Sequence, residues 1–91
     1  STLFPYTTLF RSTNFRRRKE EEAEQRRLDR KKETLETSIS RIEAEIAEIE
    51  EQMQREDVMT DHIKLAELSE RLSQRRCALD KNYEEWLELQ G

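Results

Sequence analysis

Six apolar residues, Leu35, Ile39, Ile42, Ile46, Ile49 and Met53, recur at alternating spacings of four and three with almost nothing apolar between them. That is a heptad seam on one side of a helix, too narrow for the wall of a globular core and suited to a single partner helix. Of the chain's 91 residues 42% are charged, with one Gly and one Pro, so turn formers are nearly absent and long helices are the default reading. A mean hydropathy of −1.12 alone would also suit disorder. The helical spacing of the apolar residues argues against it.

The seam does not continue unbroken. Beyond Arg55 the next aliphatic residues, Leu65, Leu68, Leu72 and Leu79, would lie roughly 120° round from the isoleucines if one helix ran on, at about 100° per residue. A loop over about 55–61, with Asp61 capping a helix that begins at His62, removes the conflict. Antiparallel pairing of the two helices then gives opposed positions with a near-constant sum. Met53 meets Leu65, Ile49 meets Leu68, Ile46 meets Leu72, Ile39 meets Leu79, Leu35 meets Tyr83, Leu28 meets Leu89, and Trp86 falls opposite Lys32. One layer is mixed, Ile42 against Arg75, whose stem can cover the isoleucine while its charge reaches Glu43 or water. The predicted fold is all-α, a two-helix antiparallel coiled-coil hairpin with helices over about 14–54 and 62–89.

Charge divides the chain more sharply than its net −4 suggests. Residues 16–32 hold nine Lys/Arg against five Asp/Glu, whereas residues 33–91 hold seven against sixteen. Three segments follow: 1–12, a basic helical overhang over 13–32, and the hairpin over 33–91. Thr13 or Asn14 is placed to cap the basic helix, and pairs such as Glu22 with Arg26 support it although it is polar all round. Nine cations in seventeen residues suit phosphate neutralisation that depends on salt rather than on base sequence. The candidate contacts are Arg16, Arg17, Arg18, Lys19, Arg26, Arg27, Arg30 and Lys31. Five interleaved acids equally suit a stiff solvated spacer.

Other chemistry finds little footing. His62 has no second ligand at metal spacing, and Cys77 has no His partner to activate it, so a half-buried inert thiol is expected. Glu43, Glu50, Glu67 and Glu70 read as a solvated flank, because paired catalytic carboxylates need a desolvated pocket. No Gly-rich run is present to cradle a phosphate. Tyr83 and Trp86 read as closing layers of the hairpin before a base-stacking platform. No catalytic or metal site is expected. With one cysteine and no long apolar span, the chain is expected to be cytoplasmic and to have neither a membrane nor a small-molecule partner.

Residues 2–12 stand apart, with the one Pro and two of the three Phe. Read back into codons, Thr2 to Ser12 resemble the in-frame translation of a short-read sequencing adapter. Segment 1–12 is therefore expected to be non-native and disordered, and the natural chain to be truncated at its N-terminus.

Residues 15–91 resemble the C-terminal coiled-coil domain of ABC-F ATPases, the Uup-like proteins. The similarity rests on Val58-Met59-Thr60-Asp61-His62, on Leu65 with Leu68, and on Tyr83-Glu84-Glu85-Trp86 with Leu89. Arg55-Glu56 replace an Asp-Pro pair common at the family's turn, and Met59 replaces a frequent Tyr. The resemblance implies a parent with two ATPase cassettes, using ATP and Mg, and no membrane domain. It implies that the terminal hairpin, a non-enzymatic arm with no cofactor of its own, contacts RNA, the ribosome or DNA. The arm is expected to be monomeric. The alternative is a purely structural or self-associating coiled coil.

Overall fold

The computed structural model describes the backbone of residues 3–91 and the side chains of residues 13–91. The described residues are all-α, in three helices: α1 Leu3–Met53, α2 Glu56–Met59 and α3 His62–Gln90. By contacts the chain divides into two compact units, residues 1–31 and 32–91.

α1 starts at Leu3 rather than near Asn14, so neither Thr13 nor Asn14 caps it. Pro5 does not prevent this, because it lies in the first turn, where a missing N–H breaks no intrahelical hydrogen bond. The expected disorder of residues 1 and 2 lies outside the described residues, as do the side chains of residues 3–12.

Within residues 32–91 the burial pattern of each helix is a heptad. On α1 the buried and half-buried positions include the stripe Lys32, Leu35, Ile39, Ile42, Ile46, Ile49 and Met53; on α3 they include Leu65, Leu68, Leu72, Arg75, Leu79, Asn82, Trp86 and Leu89, with Ala78 beside them. Along these stripes spacings of three and four alternate, as a narrow apolar seam requires. Ile49, at 2% exposure, forms a cluster with Val58, Leu68 and Leu72, against which Ile46, Met53 and Leu65 pack.

Two residues of this pattern depart from the sequence reading. Asn82, not Tyr83, holds the α3 position between Leu79 and Trp86, and its Nδ2 donates to Ser38 Oγ at 2.7 Å. Tyr83 lies on the rim with 41% of its surface exposed, because strict alternation after Leu79 calls for a step of three, not four. Val58 was expected in a loop and is instead a buried core residue on α2.

The turn is more regular than a loop over 55–61. Arg55 leaves α1 in an extended conformation (φ −69°, ψ 139°), α2 makes one helical turn, and Thr60 closes it through N–H and Oγ1 donations to Glu56 O at 3.2 and 3.1 Å. Asp61 then caps α3 as predicted, its carboxylate accepting from the backbone N–H groups of Ile63 and Lys64 at 3.1 and 3.2 Å. Such a cap contributes about 1 kcal/mol. No described residue has a positive φ, which explains why the chain turns here without Gly or Pro.

Replacing Val58 by Ala removes two methyl groups from the one buried contact the turn makes. It is expected to destabilise the fold by about 2 kcal/mol, read from the midpoint of urea unfolding followed by circular dichroism. Replacing the neighbouring Met59, which is exposed, is expected to change stability by less than about 0.5 kcal/mol.

Candidate nucleic-acid interface

Every charged residue of segment 13–31 is exposed, so the helix here is built from charge and local pairing rather than from a core. The pairing is not the expected Glu22 with Arg26. Arg27 instead reaches back to Glu24 at 2.6 Å, Gln25 Nε2 donates to Asp29 Oδ1 at 3.0 Å, and Lys19 Nζ sits 5.1 Å from the centroid of the Phe15 ring. An exposed i,i+3 ion pair adds only about 0.3 kcal/mol. It nevertheless spends part of the Arg27 charge locally.

At about 100° per residue, Arg16, Lys19, Arg26, Arg27, Arg30 and Lys31 fall within one sector of about 140° of the helix surface. Arg17 falls just beyond its edge and Arg18 on the opposite side. Glu20 intrudes on the sector. Six of the eight sequence-predicted contacts are thus brought to one exposed face, which is a geometry that can lie along a row of phosphates.

The remaining candidates resolve into structural roles. Glu43 accepts from Tyr83 Oη at 2.8 Å, Glu36 from Trp86 Nε1 at 3.2 Å, Glu45 from Arg75 Nη1 at 3.2 Å and Glu50 from Arg76 Nη2 at 3.1 Å. These bonds join α1 to α3, with Glu36–Trp86, Glu43–Tyr83 and Glu50–Arg76 in opposite chain order and with Arg75 reaching Glu45 rather than Glu43. The carboxylates are occupied by α3 donors, not paired with one another. Tyr83 and Trp86 keep an edge toward water while their polar tips are fixed. His62 is exposed, and no group of three or more potential ligands converges on a metal site among the described residues. Cys77 is exposed, not half-buried as expected, since it lies two positions from both Arg75 and Leu79 of the buried stripe. No helix among the described residues is long and apolar enough to cross a membrane.

The family model described as the ABC transporter C-terminal domain matches residues 19–91. The chain belongs to that family. The matched stretch takes in the buried stripes of α1 and α3, the α2 turn and the Asp61 cap, together with five of the candidate cations, Lys19, Arg26, Arg27, Arg30 and Lys31. Arg16, Arg17 and Arg18 precede it. No curated protein and no solved structure matches the chain.

The Tyr83–Glu43 bond has a pH signature. Donation to the Glu43 carboxylate, with some desolvation and the carboxylate's charge, raises the Tyr83 phenol above its ordinary value of 10.0. A raised folded-state value means that this contribution is complete below the unfolded-state value and is lost as pH rises through the folded one. In a Tyr6→Phe background, phenolate absorbance of the folded chain is expected to titrate above pH 10, and Glu43→Ala to bring the midpoint back toward 10.

Proposed function

We propose that this ABC transporter C-terminal domain is the coiled-coil arm of an ABC-F-type ATPase, and that it helps hold the parent protein on nucleic acid or the ribosome. In that reading residues 33–91 form a monomeric antiparallel coiled-coil hairpin, supported by the opposite chain order of the α1–α3 hydrogen-bonded pairs Glu36–Trp86, Glu43–Tyr83 and Glu50–Arg76. ATP and Mg are bound by cassettes of the parent. The arm itself is non-enzymatic and works in the cytoplasm.

The observation that carries the binding role is the exposed sector of Arg16, Lys19, Arg26, Arg27, Arg30 and Lys31. A long polar helix gains nothing from concentrating cations on one side for its own stability, since like charges at i,i+4 repel. It gains affinity for a polyanion, because each phosphate neutralised releases a condensed counterion. Arg17 and Arg18 add to the local field from the flanks.

Fluorescence anisotropy with labelled RNA and DNA across about 50–200 mM salt tests this directly. Binding is expected to weaken steeply with salt and to depend little on base sequence. The combined substitution Arg26→Gln, Arg27→Gln, Arg30→Gln and Lys31→Gln is expected to lower the slope of log K against log salt by about 3. An absence of binding at the lowest salt, together with a stable dimer in sedimentation, would instead identify a self-associating structural coiled coil.

A further inference from the structure

Where α1 gives way to α3, the turn borders a groove of about 330 Å³ with an apolar floor of Val58 and Leu68, both buried. Its rim carries Arg55, Lys64 and Arg71, with Gln52 beside them and two carboxylates, Asp57 and Glu67. Glu67, Leu68 and Arg71 stand three, four and seven residues after Lys64, so α3 presents them on the Lys64 side of the helix.

The pairing state of these cations is informative. Residues 32–91 hold eight Lys/Arg among sixteen Asp/Glu, and three of those eight, Arg41, Arg75 and Arg76, are ion-paired with Glu45 or Glu50. Arg55, Lys64 and Arg71 make no ion pair within 4.0 Å with any described residue, although acids outnumber cations two to one over residues 32–91 and Asp57 and Glu67 share their groove. The α3 amides are not what would draw an anion here, because Asp61 already occupies those of Ile63 and Lys64. The guanidinium groups of Arg55 and Arg71 can each engage phosphate oxygens bidentately, and Lys64 adds a mobile point charge.

We infer that this groove binds a phosphate group, held by Arg55, Lys64 and Arg71 over the Val58–Leu68 floor. It is a second anion site at the turn, separate from the basic sector of residues 16–31. If the phosphate belongs to a polynucleotide, the site rests on the proposed nucleic-acid role and gives the arm a second point of attachment. A free phosphate would fill it independently of that role.

The test uses the full chain, with inorganic phosphate and a single-stranded RNA oligonucleotide as separate probes, read by backbone amide shifts and by the rate of Lys64 acylation. With RNA bound, Lys64 acylation is expected to slow several-fold, and Arg55→Gln/Lys64→Gln/Arg71→Gln to lower the salt slope by about 2. Lys64→Arg, which keeps the charge, is expected to retain most of the slope in an otherwise wild-type chain. All three side chains are exposed, and a Lys81→Gln variant, also at an exposed cation, controls for loss of charge alone.

If RNA binds but protects Lys19 and Lys31 while Lys64 reacts unchanged, the inference is overturned and the proposed function stands. If RNA does not bind at all, the proposed function falls, and the phosphate arm decides the groove. Shifts at Arg55, Lys64 and Arg71 that saturate with inorganic phosphate then support a free-anion site. Linear, non-saturating shifts overturn it.

Discussion

Packing of Val58 onto Ile49, Leu68 and Leu72 is the contact on which the rest of residues 32–91 depends. A narrow apolar stripe on a polar helix has no stability of its own in water, because the area it buries must offset the entropy of ordering a long segment. Two helices with such stripes can cover each other along their sides but leave the end of the apolar layer open to water. Val58, held inward by the single turn of α2, closes that end. The same short helix positions Asp61, so the element that seals the core also starts α3.

Electrostatics follows from this arrangement. The acids on the α1 flank are taken up by donors from α3, namely Arg75, Arg76, Tyr83 and Trp86, and they fix which sides of the stripes meet. Each bond is exposed or partly exposed and contributes modestly. Together they discriminate one pairing from another more than they add net stability. Positive charge is concentrated at two places, the sector over residues 16–31 and the groove beside the turn, where Arg55, Lys64 and Arg71 make no ion pair with a described residue. A chain that is acidic in sum therefore presents its positive charge locally, and local charge is what a polyanion meets within a Debye length.

Much of the fold was legible because heptad periodicity is a strong signal and because its phase breaks near Arg55. The start of α3 and its Asp61 cap followed from that break. Val58 was hidden because one valine among Glu56, Asp57 and Thr60 has no period to announce it, and only the turn's geometry turns it inward. Asn82 was hidden for a different reason. Tyr83 is the better core residue by hydrophobicity, yet the alternation of three and four from Leu72 through Arg75 and Leu79 points to Asn82, so the spacing held the answer that side-chain chemistry obscured. The early start of α1 was missed because residues 1–12 were set apart as adapter-derived, so their helical propensity was never weighed, and Pro5 in a first turn breaks nothing. At the candidate site, composition located the cationic segment, but the sharing of one face by six of its cations, and the unpaired state of Arg55, Lys64 and Arg71, emerge only with three-dimensional placement.

The Asn82–Ser38 bond bears on how an arm of this kind can change in length. A seam of isoleucine and leucine alone is nearly indifferent to sliding by one heptad, since each layer resembles the next. One heptad from Ser38, α1 offers Lys31 or Glu45, and neither reproduces a hydroxyl at hydrogen-bond distance from a half-buried amide. The pair thus acts as a vernier mark. Insertions or deletions that preserve it must add or remove matching heptads on both helices, so such an arm grows or shrinks in steps of about 10 Å rather than continuously.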